Sequence, residues 1–286
     1  MKLSEKEMQE ILAKVEENLR LRRLSENTIL NYLYDIKFFF KNCTYSGDLK
    51  DFTEDDFIDY VKKEFLDKEK TANTYNAHIA AIKKMFIVCY RKAFINDLIP
   101  RAKQSKKLPI IIPINEFNDI LKKEKNIEHC CWLLLSYYCG LRACEIGNVK
   151  IENIDSKNNS LRITGKGNKE RITILPNDVI ICLRKYYVYK KMKKTTGYLF
   201  EGNKNNEHVN SKTVVNYFIN LKKRYNLNSR YTYHTLRHSF ATNYIMNGGK
   251  LEELQIMMGH KNIVTTVIYL HLALNFKKII EKQHHE

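Results

Sequence analysis

From Ser4 to about Arg23, apolar residues return at Met8, Ile11, Leu12, Val15 and Leu19, the three-and-four spacing of a helix with one buried face. Ser25 is placed to cap a second helix that carries Ile29, Tyr32, Leu33, Ile36 and Phe40 on one side. The pattern predicts a third helix within 53–66 and a fourth from about Thr71. The fourth puts Tyr75, Ile79, Ile82 and Phe86 inward, and Lys83, Lys84, Arg91 and Lys92 outward. Residues 1–100 therefore read as a small four-helix unit with a basic exposed face.

The stretch RAKQSKKLPIIIP (101–113) is basic, punctuated by proline and without helical period, so it reads as a linker. A helix from about Asn115 and a strongly apolar one over His129–Tyr138 follow, closing at Cys139-Gly140. The period then drops to two: Leu161 and Ile163, then Ile172 and Ile174, alternate with polar residues, as in half-buried strands. With GKGNK as the tight turn between them, 160–175 is a predicted β-hairpin, and 149–154 a candidate third strand. Helices resume to the end. The fold class expected is mainly α with a small antiparallel β-sheet (α+β), with a second domain over 114–286.

Charge changes this picture. The formal net charge is +17, which points to a polyanionic partner. Residues 1–103 hold 19 basic and 17 acidic side chains, whereas 104–286 hold 30 and 15, so the excess belongs to the second half. An acidic stretch at 48–69, nine acids to four lysines, is either a face turned away from the polyanion or a solvated loop. None of the seven cysteines falls in C-x-x-C spacing, and most sit in apolar stretches, which suits reduced, buried thiols. The charged N-terminus does not resemble a signal peptide, and CCWLLLSYYCG is too short to span a bilayer. The expectation is a cytoplasmic, nucleoid-associated protein without membrane contact.

Several residues have the chemistry for anion binding. Arg142 follows Gly140-Leu141, with Glu145 three residues on; read alone, the two make an ordinary helix ion pair. Lys166 stands between Gly165 and Gly167 at the hairpin tip, either reaching for an anion or simply solvated. In YHTLRHSF, His234 and Arg237 share a helix face, while His238 stands one step round. His260 follows Gly259, and Tyr269 comes nine residues later. His234 and His238, four apart, also have metal-ligand spacing that His260 or Glu145 would complete, but the Arg237 charge opposes a divalent cation.

In order, GLRACEI, TGKGNKER, HTLRH, GHKN and Tyr269 closely resemble the motifs of the tyrosine recombinases, the integrase and Xer-type family. The separations fit as well: 24 residues from Arg142 to Lys166, 3 from His234 to Arg237, 23 from Arg237 to His260 and 9 from His260 to Tyr269. LSENTILNYLYDIKFF and TANTYNAHIAAIKKMF are similar to the first-domain helices of that family. Cys144 stands where serine or threonine is usual, and Leu270 where threonine is frequent.

The resemblance implies a SAM-like core-binding domain and a catalytic domain that clamp double-stranded DNA. Arg142 and Arg237 would grip the scissile phosphate, Lys166 would protonate the leaving 5′-oxygen, and His234 would act as acid/base at the nucleophile. His260 would hydrogen-bond the phosphate, Glu145 would orient the site, and Tyr269 would form a 3′-phosphotyrosyl link. His238 is left outside this set as a neighbour that fixes the turn. No cofactor, metal or ATP is implied. A homotetramer on two DNA sites, a monomer or weak dimer when free, would exchange strands through a four-way junction, with an accessory protein as a possible partner. The role would be integration and excision or Xer-like dimer resolution. The apolar tail residues Leu272, Leu274, Phe276, Ile279 and Ile280 would dock on a neighbouring protomer, or pack on their own domain. A topoisomerase of type IB, with a similar Arg, Lys, His and Tyr set, is the alternative enzyme. A DNA-binding protein that has lost cleavage is the non-enzymatic one, though every catalytic position is filled.

Overall fold

The structure is a computed structural model that describes residues 4–95, 97–103, 108–165, 169–202 and 207–283, with side chains to Phe276. The chain divides into two compact units, Met1–Lys106 and Lys107–Glu286.

The first unit holds α1 (Glu5–Leu21), α2 (Glu26–Asn42), α3 (Glu54–Val61), which runs on as a π-helical turn through Leu66, and α4 (Ala72–Tyr90). Local chemistry starts three of these helices; α2 follows Ser25 as expected, but the Ser25 side chain makes no capping hydrogen bond. Ser4 and Glu7 form a reciprocal capping box on α1, Thr53 and Asp56 do the same on α3, and Thr71 caps α4. Phe39, Phe52, Phe57 and Phe86 fill the core, with Phe39 edge-on to Phe52 and Phe86 and Phe52 stacked on Phe86. His78 is buried against Phe38, Tyr60 and Phe65, with Nε2 2.7 Å from Tyr60 Oη and Nδ1 3.2 Å from Asp35 Oδ1. Two expectations change here. Lys83 and Lys84 are half-buried on α4, and Lys83 Nζ donates to Ile99 O. The start of the expected linker is pinned to this unit, because Asn76 and Ala102 exchange hydrogen bonds of 3.0 and 2.9 Å.

The second unit comprises α5 (Ile114–Lys123), α6 (Ile127–Cys139), α7 (Ala143–Gly147), β1 (Ile154–Asp155), β2 (Ser160–Thr164), β3 (Glu170–Ile174), α8 (Asn177–Tyr189), α9 (Ser211–Arg224), α10 (Tyr233–Met246), α11 (Leu251–Met258) and α12 (Val264–Gln283). Its core centres on α6, which is apolar nearly all round because it is buried nearly all round: Cys131 to Tyr137 are all buried. The other end of the expected linker belongs to this unit. Ile112 is fully buried, its N–H donates to Ser239 Oγ at 2.8 Å, and its carbonyl accepts from Tyr137 Oη at 3.0 Å.

The three strands pair antiparallel in the order β1-β2-β3. The expected third strand is reduced to Ile154–Asp155, since 151–153 forms a 3₁₀ turn. The hairpin departs from the sequence pattern in a consequential way. Leu161 and Ile163 face inward as expected, and their cross-strand partners are Thr173 and Arg171. Directly paired residues share a face, so Arg171 and Thr173 are buried while Ile172 and Ile174 are 54% and 40% exposed. None of the seven cysteines is in a disulfide, and Cys144 is exposed rather than buried. Among the described residues, no helix is long and apolar enough to cross a membrane.

Candidate active site

The site begins where α6 stops. Gly140 terminates the helix in the left-handed region (φ +69°), and a Cβ there would lie 2.5 Å from the Phe240 ring, so only glycine lets the chain turn this close to α10. That turn delivers Arg142 to the N-cap of α7. Glu145, one turn on, reaches back to accept from Arg142 N–H at 2.7 Å and from Arg142 Nη1 at 2.9 Å.

Glu145 is 2% exposed and holds more than one arginine. Arg171, from the inward face of β3, donates to both of its oxygens at 2.9 Å, a bidentate pair. Arg237, from α10, lies 3.7 Å away. Three guanidiniums thus converge on one carboxylate, leaving positive charge in excess. Burial works to raise the Glu145 pKa, but Arg171 foremost, with Arg237 and Arg142, holds it below the ordinary carboxylate value. Burial and the Arg142 charge lower the Arg237 guanidinium to about 9.

Main-chain carbonyls complete the cradle. Arg237 donates to Gly140 O and Met258 O, Arg171 Nε to Met257 O at 2.6 Å, and Arg142 Nη2 to Met258 O at 3.4 Å. These carbonyls close α6 and α11, so the negative ends of two helices face the arginines. Gly259 ends α11 with φ +61°, and a Cβ on it would lie 2.9 Å from Arg171 Cδ. The glycine of the GHKN motif makes room for an arginine of the hairpin.

The remaining groups surround a phenol. Tyr269 on α12 is 3% exposed, with its ring 6.3 Å from that of His260 and 5.8 Å from that of His238. Burial raises its pKa, opposed by Arg237 and Arg142. His238 Nδ1 lies 2.9 Å from Tyr269 Oη. His260 Nδ1 lies 2.9 Å from Thr266 Oγ1 instead. His234 sits edge-on to His238, ring centres 4.8 Å apart. All three imidazoles are pushed towards the neutral form, first by burial: His234 also by Arg237 and Arg142, His238 to about 4 with His234 and Arg237 adding, and His260 to about 4 with Arg237 and Arg142 adding.

Arg142, Glu145, His234, Arg237, His260 and Tyr269 thus gather in one place from α7, α10, α12 and the turn after α11. Lys166 lies outside the described residues; Gly165 beside it approaches Glu145, since a Cβ there would be 3.7 Å from Oε1. Two members were missed in the sequence. Arg171 was overlooked because alternation alone favours Ile172 as the inward residue. The signal was the five-residue loop 165–169, which pairs Thr164 with Glu170 and so sets Arg171 opposite Ile163. His238 was set aside because it is one helical step from Arg237, and nothing local shows that α12 crosses there.

Two regions match known family models: residues 112–275 match the Phage integrase family, and residues 11–94 match Phage integrase, N-terminal SAM-like domain. The chain is 30% identical to tyrosine recombinase XerD of Staphylococcus epidermidis over 87% of this chain and 89% of that protein. It is 28% identical to a putative integrase/recombinase of Sinorhizobium fredii, covering 92% of this chain and 84% of the relative. In fold it resembles XerH site-specific recombinase bound to palindromic difH substrate in a post-cleavage complex (TM-score 0.72, 20% identity, covering 93% of this chain and 82% of that one).

Proposed function

The chain belongs to the phage integrase family, the tyrosine recombinases, enzymes of site-specific DNA recombination by strand breakage and rejoining, and on that premise we propose that Tyr269 is the nucleophile of its buried arginine–histidine site. Tyr269 Oη attacks a phosphorus of double-stranded DNA to give a 3′-phosphotyrosyl link, while Arg142 and Arg237 hold the non-bridging oxygens, where the charge of a phosphoryl transfer concentrates. His260 donates to the phosphate, His234 serves as an acid/base group of the site, and Lys166 protonates the leaving 5′-oxygen. Glu145 orients the arginines. The covalent link retains the energy of the broken bond, so the strand rejoins to a new partner without ATP.

One observation carries this reading. Arg142 and Arg237 act on a single buried phenol that the His238 and His260 rings flank, although these residues come from separate elements of the second unit. Phenol attack at neutral pH needs such surroundings, because its pKa is near 10 in water and burial raises it further. The +15 balance of residues 104–286 supports placing most phosphate contacts in that half.

Both domains contribute to DNA binding in a homotetramer assembled on two sites, which passes through a four-way junction. An accessory protein is an allowed partner, and Xer-like dimer resolution and integration of a mobile element are the candidate roles. The test uses nicked duplex fragments from the DNA flanking the gene, in EDTA, on a denaturing gel beside Tyr269→Phe. A protein–DNA adduct that vanishes in the variant supports the reading; an adduct that persists assigns the nucleophile elsewhere.

A further inference from the structure

Among the described residues, Tyr269 Oη has one hydrogen-bond partner, and it is not His234 but His238, the last residue of HTLRH. His238 Nδ1 lies 2.9 Å from the oxygen, in a half-buried position on α10. Among the described residues neither of the other two imidazoles is hydrogen-bonded to that oxygen: His260 Nδ1 is paired with Thr266 Oγ1, and the exposed His234 ring stands edge-on to His238 at 4.8 Å. From the geometry we infer that His238 is a catalytic residue, the base that takes the phenolic proton of Tyr269 through Nδ1. The inference rests on Tyr269 being the nucleophile, and it assigns His234 to the phosphate side of the site.

The step balances as follows. Tyr269 Oη forms a bond to phosphorus and its proton passes to His238 Nδ1. The bond from phosphorus to the 5′-oxygen breaks, and that oxygen takes a proton from the acid on the leaving side, the role proposed for Lys166. In religation the 5′-hydroxyl attacks, its proton returns to that acid, and the departing phenolate recovers the proton held by His238. For this the ring must start neutral, with Nδ1 unprotonated and Nε2 carrying the hydrogen. Burial, together with the charges of Arg237 and neighbouring His234 and His260, favours the neutral ring. The same surroundings make His238 a weak base in the free protein. An incoming phosphodiester places negative charge beside Arg142 and Arg237 and lifts that suppression, so proton transfer is enabled when DNA occupies the site.

The test is single-turnover cleavage of whichever fragment gives the Tyr269-dependent adduct, measured from pH 6 to 9 with the full chain. His238→Ala is expected to cleave about 100-fold or more slowly, the usual contribution of a positioned base, with a residual rate that climbs about tenfold per pH unit and is partly restored by added imidazole. His238→Gln separates roles: its side-chain oxygen accepts the phenol hydrogen bond but takes no proton, so it is expected to keep wild-type melting and DNA binding yet stay slow. His238→Gln cleaving at the wild-type rate, or His238→Ala within threefold of wild type with an unchanged pH profile, overturns the inference. If Tyr269→Phe still forms the adduct, the nucleophile itself has been misassigned, which is a different failure. Nitrogen-15 NMR of the histidines in the DNA-free protein decides the hydrogen bond independently. An unprotonated Nδ1 on His238 whose signal moves in Tyr269→Phe supports the proposal, and a protonated Nδ1 overturns it.

Discussion

Arg171→Met removes a guanidinium while keeping much of its apolar volume, and so isolates what the third arginine does. Arg171 is 9% exposed, sits bidentate on a carboxylate that is 2% exposed, and ties the hairpin to α11 through Met257 O. Removing one partner of a buried pair costs about 3–5 kcal/mol, because the remaining charge stays buried. Glu145 retains Arg142 at 2.9 Å and Arg237 at 3.7 Å, which places the loss near the lower end, about 3 kcal/mol. For a domain of this size that corresponds to a melting temperature lower by about 6–12 °C. Cleavage should fall as well, since Glu145 then draws Arg142 and Arg237 away from the phosphate position. The assay is thermal and guanidinium unfolding of the full chain, followed through the second unit's transition, with adduct formation measured in parallel. The informative comparison is Arg171→Met/Glu145→Gln, which removes the unpaired carboxylate and should recover much of the stability lost in the single variant. Acid provides a second check. The Glu145 pKa is held low in the folded state, so its contribution is present above the ordinary carboxylate value and lost as pH falls through the folded one. Without Arg171 that pKa rises, and the deficit of Arg171→Met should shrink as pH is lowered towards 4. A deficit under about 1 kcal/mol, or losses that simply add in the double variant, would refute the central place given to this pair.

Gly259→Ala forces a side chain into the left-handed region against Arg171, which should cost about 1–2 kcal/mol and slow cleavage; unfolding curves and the adduct gel read both. His238 and His260 have folded-state pKa values depressed to about 4, so the unfolded chain binds their protons first. Stability of the second unit should therefore fall as pH drops from about 6.5 to about 4, and His238→Gln should flatten that slope in a pH series of melting curves. In the first unit, His78→Leu strands Tyr60 Oη and Asp35 and should destabilise it by about 1–3 kcal/mol, measured by unfolding. Residues 107–286 alone should keep most of the salt dependence of DNA binding, because the charge excess lies there; a salt slope below half that of the full chain would contradict this.

Much of this protein was legible along the chain because the relevant physics is local. The starts of α1 near Ser4 and of α4 near Thr71, the helical spacing of α1, α2 and α4, and the uninterrupted apolar run of α6 depend on residues within a few positions of one another. So do the glycines at 140 and 259, which close α6 and α11 in the left-handed region. The motif order likewise marked Arg142, Glu145, His234, Arg237, His260 and Tyr269 before any fold was known. What the chain alone left open is decided by pairing across distance. Alternation in β3 favours Ile172 and Ile174 as the inward residues, and only the register with β2 turns Arg171 inward and leaves them outside. The apparent linker looked free in sequence, yet Ala102 and Ile112 are claimed by hydrogen bonds to residues 26 and 127 positions away. His238 and Tyr269 are 31 residues apart, and their contact exists because α12 packs across α10. A side chain's neighbours in sequence set its conformation; the charge and hydrogen bonds that set its chemistry come from elements that only the tertiary fold brings together.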